Sequence, residues 1–86
     1  MKHYVYILYS DKIDRYYIGK SSNPDNRLNH HNSMLNQIWT KRGKPWRIVK
    51  RIEFENNTEA SKAELFIKKQ KSRKFIEKII RDGWGG

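Results

Sequence analysis

The 86-residue sequence contains no cysteine, and this absence excludes both a disulfide scaffold and a zinc site built on thiolates. Internal repeats and low-complexity segments are absent as well. No apolar run is long enough for a secretory core or a membrane span, since the longest covers only residues 4–9. We therefore expect a cytoplasmic protein without a membrane anchor.

Acidic residues are scarce relative to basic ones, nine against nineteen, which gives a net charge of +10. The excess of basic residues is concentrated in residues 41–86, which hold fourteen basic and six acidic side chains. Residues 1–40 hold five basic and three acidic side chains. Such a basic chain favours a polyanionic partner, of which nucleic acid is the commonest. The alternative interpretation is a soluble domain with a lysine-rich surface.

The length predicts a single domain spanning residues 1–86, because a chain this short buries only about 60% of its unfolded surface, in one modest core. Three Trp, five Tyr and three Phe, within a hydrophobic fraction of 36%, are enough apolar material for that core. This composition argues against a chain that is disordered throughout.

Two segments rich in aromatic and β-branched residues predict an antiparallel hairpin near the amino terminus. We assign the first strand to residues 3–9, a polar turn to residues 10–15 and the second strand to residues 16–19. Gly19 at its end indicates either a close backbone approach or an unusual backbone angle. Alternation along the first strand places two sets of side chains on opposite faces, Tyr4, Tyr6 and Leu8 against Val5, Ile7 and Tyr9.

A helix is predicted to begin at Asn23-Pro24, with Asn23 as the cap, and to run to about Asn32. Arg27 and His31 lie four residues apart and therefore share one face of it. After a loop over residues 33–45, a third strand is expected from Trp46 to Phe54. The alternation of apolar and polar residues along it is imperfect. Since alternate residues of a strand share a face, we expect one face to carry Trp46, Ile48, Lys50 and Ile52.

Two further helices follow, separated by a break near Lys71-Ser72, the second ending at Asp82-Gly83. We take the cap of the first from the segment 56–58, where Thr58 is well placed. Each helix carries an inward stripe: Ala60, Ala63, Glu64 and Ile67 in the first, and Phe75, Ile76, Ile79 and Ile80 in the second.

Glu64 is the most informative residue of its helix, because a carboxylate on an apolar stripe is costly to bury without compensation. A metal ion or an arginine partner would supply that compensation. The alternative is a capping box, since Ser61 and Glu64 fit the S-x-x-E pattern.

The tyrosines and histidines also have ordinary interpretations. Tyr6 and Tyr17 are compatible with cross-strand aromatic packing, and His31, next to His30, with a surface position. A zinc site from the three histidines is disfavoured, because adjacent helical residues diverge and no cysteine assists.

In order along the chain, these residues resemble the GIY-YIG nuclease superfamily. Its first motif is degenerate here, in Tyr4-Val5-Tyr6, where Tyr4 replaces a glycine; its second is intact in Tyr17-Ile18-Gly19. The resemblance covers nearly the whole chain and is closest to the small stand-alone, single-domain branch. The remaining residues that carry it are Lys20, Arg27, His31 and Glu64.

The resemblance implies a metal-dependent endonuclease that hydrolyses DNA phosphodiester bonds, with a role in DNA repair or recombination. It implies one divalent cation, Mg²⁺ or Mn²⁺, held by Glu64 together with phosphate and water. Arg27 would clamp the phosphate. Tyr6 or Tyr17 would orient or deprotonate the attacking water, helped by the charge of Lys20, since a free phenol is a poor base at neutral pH.

Two points stay open within this resemblance. His31 competes with Tyr17 as the general base, since its intrinsic pKa suits the task better. Many members also carry an asparagine beyond the glutamate, and the corresponding position here is Ile76, which puts an asparagine-dependent role in doubt.

The run from Lys68 to Arg81 holds seven basic residues against Glu77. It is either a solvated helix face or a surface that follows a DNA backbone. Trp39 and Trp84 would stack on bases if exposed, whereas Trp46 is expected in the core. The phosphate contacts predicted for this surface are Lys68, Lys69, Lys71, Arg73 and Lys74.

We therefore expect an α/β domain of the α+β type, a small three-stranded antiparallel sheet packed with about three helices. The rival functions are a non-catalytic nucleic-acid-binding module on the same scaffold and a basic protein-interaction domain. No separate DNA-reading domain is evident, so we expect little sequence preference or dependence on a partner protein. Oligomeric state stays open.

Overall fold

The computed structural model describes residues 2–26, 28 and 44–85. The described residues form a single antiparallel sheet in the strand order β2-β1-β3, which confirms the expected α+β architecture. Its strands are β1 (His3–Ser10), β2 (Arg15–Ser21) and β3 (Trp46–Phe54). The helices are α1, described at residues 24–26 and 28, α2 (Asn57–Gln70) and α3 (Arg73–Asp82).

The predicted hairpin is present, and its strands are longer than the sequence indicated. Pairing runs from Tyr4 opposite Ser21 to Ser10 opposite Arg15, so the turn occupies only residues 11–14. Asp14 closes this turn with a φ of 53°, a left-handed conformation that aspartate tolerates better than most residues. Ser10, expected in the turn, is completely buried and belongs to the strand.

Strand β3 has the predicted bounds, and its imperfect alternation has a structural cause. The register against β1 moves from Ile7 opposite Lys50 to Leu8 opposite Ile48, which leaves Val49 as an extra residue in a β-bulge. Ile48 therefore packs on one face of the sheet and Ile52 on the other. The prediction that these two residues share a face is wrong, because the bulge reverses the parity between them.

The two faces of the sheet bury different clusters. Alternation along β1 was predicted correctly, with Val5 and Ile7 on one side and Tyr6 and Leu8 on the other. The helix-covered cluster consists of Val5, Ile7, Ile18, Ile52, Ala60, Ala63, Ile67 and Ile79. The opposite cluster consists of Tyr6, Leu8 and Trp46, with Tyr17, Leu28 and Ile48 packed against it.

Helix caps fix where each helix begins. Asn56 caps α2, since its side chain accepts the N–H of Glu59 at 2.9 Å. Thr58, predicted as the cap, lies inside the helix, and Ser61 lies too far along α2 to form a capping box with Glu64. Asn23 caps α1 as predicted, accepting the N–H of Asn26 at 3.1 Å.

The predicted break between the last two helices is confirmed. Lys71 ends α2 in the left-handed conformation, with a φ of 47°, and Ser72 caps α3 by accepting the N–H of Phe75 at 3.2 Å. In the part of the chain that the structure describes, no helix has the length and apolar character needed to cross a bilayer.

Candidate active site

The ring of Tyr6 lies directly over Gly19, its partner across the β1–β2 hairpin. A Cβ atom at Gly19 would stand 2.5 Å from Cζ and 2.8 Å from Cε1 of that ring, with the phenol oxygen nearer still. Gly19 has no positive φ, so its role is to admit a close approach rather than to supply an unusual backbone angle. The hydroxyl of Tyr6 therefore lies over β2, an edge strand of the sheet.

Tyr17 lies on the same face of the sheet, two residues before Gly19 on β2. Its ring meets Trp46 edge-on, with 6.4 Å between ring centroids and 62° between ring planes. Tyr6 is only 1% exposed, whereas Tyr17 is half-buried. Both phenols therefore belong to one packed layer, in which their rings have a structural role besides any chemical one.

Glu64 lies on α2, which packs on the face of the sheet opposite to Tyr6 and Tyr17, in a row of residues that begins against β2. The placement follows from Lys20 on β2, whose Nζ donates to Oδ1 of Asn57 at 2.9 Å, at the start of α2. Ser61 Oγ lies 3.5 Å from the same oxygen. Since residues four and seven positions apart share a helix face, Glu64 belongs to the row that begins with Asn57. A helix rises about 1.5 Å per residue, so Glu64 lies about 10 Å along the axis from Asn57.

Burial distinguishes Glu64 from every other acidic residue. All nine carboxylate side chains lie in the described part of the chain, and Glu64 alone among them is not exposed. Its side chain is 18% exposed and pairs with Lys68, whose Nζ lies 3.6 Å from Oε2. A lysine at i+4 is a flexible partner that a stronger cation can replace.

Comparison with known proteins identifies the family to which the chain belongs. Residues 2–78 match the model of the GIY-YIG catalytic domain. The chain belongs to the GIY-YIG family. Its fold is similar to the solution NMR structure of a UPF0213 protein from Bacillus halodurans, with a TM-score of 0.58 and 31% sequence identity over 94% of this chain and 84% of that one. No curated protein matches the sequence.

The GIY-YIG signature thus occupies the two paired strands of the hairpin. Tyr17-Ile18-Gly19 is the second motif, and its glycine lies under the last tyrosine of the first motif, Tyr6. Tyr4, which replaces the usual glycine, is half-buried, and its hydroxyl lies 3.5 Å from Oε1 of Glu53 on β3. The substitution is therefore accommodated by a strand position with room for a side chain.

Arg27 and His31 lie outside the described residues. The described part of α1 nevertheless shows which face the helix covers. Leu28 packs against the cluster that contains Tyr6. Asp25, in the first turn, accepts a short hydrogen bond from Nη2 of Arg51, which lies opposite Tyr6 on β3. Helix α1 therefore begins against the tyrosine face of the sheet.

Sequence reasoning missed Asn57. The segment 56–58 was interpreted only as a helix cap, whereas the Asn57 side chain holds the ammonium group of Lys20. The available signal was its spacing of seven residues from Glu64, which places both on one helix face. Since its partner lies 37 positions away in the chain, no local pattern could have identified the contact.

The predicted phosphate-binding residues divide into two groups. Lys69, Lys71 and Lys74 are exposed, and among the described residues no carboxylate lies within 4 Å of them. Lys68 is exposed and pairs with Glu64. Arg73 is exposed too, but it is engaged within the molecule. Whether these side chains contact DNA stays a prediction.

Arg73 joins α3 to the hairpin turn. Its Nη2 donates to Oδ1 of Asp14 at 2.6 Å, and its Nε donates to Oε2 of Glu77 at 3.2 Å. The guanidinium also lies 5.1 Å from the centroid of the Tyr16 ring. Hydrogen bonding to Asp14, and then to Glu77, raises the pKa of Arg73.

The donor set fits a weakly held Mg²⁺ or Mn²⁺ ion. Among the described residues no group of three or more His, Asp or Glu side chains could enclose a metal, so in that part of the chain Glu64 would be the single protein ligand. Mg²⁺ keeps several of its waters and is commonly bound through one or two carboxylates plus substrate phosphates. A single shielded carboxylate is compatible with that mode of binding.

Proposed function

We propose that the chain is a metal-dependent endonuclease that hydrolyses DNA phosphodiester bonds at the β2 edge of the sheet. The observation that carries this proposal is the partial burial of Glu64, in the row of α2 that begins at Asn57, while every other carboxylate of the chain is exposed. The GIY-YIG catalytic domain supports an endonuclease-type role. The net charge of +10 supports a polyanionic substrate.

Glu64 would hold the divalent ion, with phosphate oxygens and water completing the coordination. When bound, such an ion supplies charge neutralisation at the phosphate and stabilisation of the leaving oxygen. Binding would draw Glu64 away from Lys68 and free that ammonium group for the phosphate backbone. One site of this kind cuts one strand in each encounter.

The tyrosine hydroxyls would position the attacking water. Tyr6 is the more constrained of the two, because its ring is buried and fixed against Gly19. A phenol with a pKa of about 10 is protonated at neutral pH, so it acts as a base only with assistance. We assign that assistance to Arg27, because the ammonium group of Lys20 lies with Asn57 of α2 on the helix-covered face of the sheet, whereas the phenols lie on the opposite face. His31 is the alternative base.

Lys20 reaches the site through Asn57, which therefore acts as a positioning residue in this proposal. The hydrogen bond of 2.9 Å keeps the ammonium group near the start of α2, on the same row as Glu64. A phosphate bound between these two residues would meet a positive charge from the protein at one end and the metal-bearing carboxylate at the other. We further propose a role in DNA repair or recombination, with specificity supplied by DNA structure or by a partner.

The test is nicking of supercoiled plasmid DNA in Mg²⁺ by the wild type and the variants Glu64→Gln and Glu55→Gln. Glu55 is exposed and lies just before α2, so its loss of a negative charge is the control for that of Glu64. We expect Glu64→Gln to lower the nicking rate by about 100-fold or more, as loss of a group that stabilises the transition state does. Glu55→Gln should nick at the wild-type rate, and DNA affinity should not fall in either variant.

Unchanged nicking by Glu64→Gln would refute the role of Glu64. DNA binding without nicking in the wild type would favour the non-catalytic binding module. In that case the ion pair with Lys68 would be the whole role of Glu64. Negligible DNA affinity even at low salt would favour the protein-interaction domain.

A further inference from the structure

A cleft surrounds Phe66 on the flank of α2 opposite to Glu64. It consists of two adjoining hollows of about 380 and 320 Å³, which share Phe66 and Trp84 in their walls. We call this feature the Phe66 cleft. Its walls contain four aromatic side chains and two lysines, namely Phe54, Phe66, Phe75, Trp84, Lys62 and Lys78.

The aromatic rings of the cleft form a connected series. Phe66 meets Phe75 with 5.9 Å between centroids and Trp84 with 6.0 Å, and Trp84 meets Phe54 with 6.4 Å. All three contacts are edge-to-face, an arrangement that fixes the orientation of each ring. Phe66 is nonetheless 49% exposed, so the series ends in an aromatic surface that is open to solvent.

Two lysines and two carboxylates line the cleft, and Arg81, which pairs with Asp82, brings the balance of charge around it to +1. Glu59 pairs with Lys62 at 3.8 Å and Asp82 pairs with Arg81 at 3.2 Å. Lys78 has no carboxylate within 4 Å among the described residues. An exposed aromatic ring flanked by lysines, on a chain of charge +10, complements a ligand that is both anionic and flat.

We propose that the Phe66 cleft is a base-stacking subsite for unpaired nucleotides of the nucleic-acid substrate. Stacking on an aromatic ring requires a base whose face is free, which a single strand offers and an intact duplex does not. The cleft therefore favours DNA with an unpaired segment. This inference rests on the proposed function for its substrate, but it concerns binding rather than the chemical step.

The position of the cleft relative to Glu64 gives the length of the unpaired segment. Phe66 and Glu64 are two residues apart, hence about 200° apart around a helix of 3.6 residues per turn. A strand must pass around the helix, and half the circumference of a cylinder about 10–12 Å across is about 16–19 Å. At a stacked rise of about 3.4 Å, that path corresponds to about five nucleotides between the stacked base and the phosphate at Glu64.

The experiment measures fluorescence anisotropy of a labelled single strand and of the blunt duplex of the same sequence, both in EDTA. Phe66→Leu keeps apolar bulk but removes the ring, and Phe66→Tyr keeps the ring. We expect Phe66→Leu to weaken single-strand binding by about 5- to 150-fold, the range for loss of one stacked base. Phe66→Tyr should bind like the wild type, and duplex affinity should change in neither variant.

Two further variants keep the test decisive. Leu65→Ala removes an apolar side chain that is 63% exposed and outside the cleft, so single-strand binding should not change. Lys78→Gln removes a positive charge that lines the cleft without touching the aromatic series, and it should reduce the slope of log affinity against log salt by about 0.7 for the single strand.

Equal affinity of wild type and Phe66→Leu for the single strand would overturn the inference, as would an equal loss on the duplex. A concentration-dependent dimer that Phe66→Leu abolishes would identify the cleft as a contact between copies instead. Because EDTA prevents metal-dependent cleavage, these results do not depend on Glu64. If Glu64→Gln abolishes nicking while Phe66→Leu binds the single strand normally, the stacking subsite is refuted and the proposed function stands.

Discussion

The ring of Tyr6 rests on the backbone of Gly19, its partner across the hairpin. The second signature motif thus ends in glycine for a steric reason, since any side chain would displace the phenol above it. From the sequence, Gly19 indicated either close approach or an unusual angle, and only coordinates could distinguish these. Which side chain lies over Gly19 depends on the register between β1 and β2, and the conformational preferences of single residues do not predict that register.

Replacing Gly19 tests this contact. Gly19→Ala would place a methyl group within 3 Å of the buried Tyr6 ring, and over-packing of this kind costs about 1–3 kcal/mol. We expect a loss of that size in the free energy of unfolding by urea, together with reduced nicking. Gly85→Ala is the matched control, because nothing lies within 4 Å of a Cβ at that position. Equal stability of the two variants would contradict the steric account.

At the scale of secondary structure, helix α3 is tied to the β1–β2 turn by a polar network that the sequence does not reveal. Arg73 and Asp14 are 59 positions apart, and neither belongs to a pattern that predicts the pairing. Tyr9 also donates to Asp14, at 2.5 Å. The elements themselves were predictable because periodicity is local, whereas the bulge at Val49 and this network depend on contacts between distant segments.

The network predicts a pH dependence of stability. Hydrogen bonds from Arg73 and then from Tyr9 lower the pKa of Asp14. A carboxyl with a lowered folded pKa adds stability above its unfolded pKa of about 3.9, and that stability is lost as pH falls through the folded value. Asp14→Asn, which keeps a residue suited to positive φ, should therefore lower the melting temperature at pH 7, and this loss should become smaller as the pH falls below the unfolded pKa.

Arg73→Gln serves as the partner control in thermal melts across this pH range. It should lower the melting temperature at pH 7 as well, and the double variant should lose less than the sum of the two single losses. A deficit of Asp14→Asn that is the same at pH 2 and pH 7 would show that the loss is not electrostatic.

At the scale of the whole molecule, the fold places two kinds of surface around α2. Lys20 meets the Asn57 end of the Glu64 row on one flank, and the Phe66 cleft occupies the other. The fold class, the signature strands and the inward position of Glu64 followed from the sequence. The Phe66 cleft could not be predicted in this way. Helical periodicity identifies which residues face the core, but it does not show where two packed helices leave a gap beside the core.

The exposed lysines of α2 and α3 should contribute to DNA binding through their positive charge. Replacing Lys69 or Lys74 with glutamine is expected to reduce the slope of log duplex affinity against log salt by about 0.9 for each phosphate group that is no longer neutralised. Melting temperatures should not change, since both side chains are exposed and neither has a carboxylate partner in the described structure. An unchanged salt slope in both variants would place the DNA path elsewhere.

The most direct test of the central claim is a crystal structure of the protein with a short DNA and Mn²⁺, with the ion located by anomalous scattering. We expect one ion bound directly by Glu64, Lys68 released from the carboxylate, and the phosphate near the Tyr6 hydroxyl. An ion bound away from Glu64, with the carboxylate still paired to Lys68, would contradict this claim.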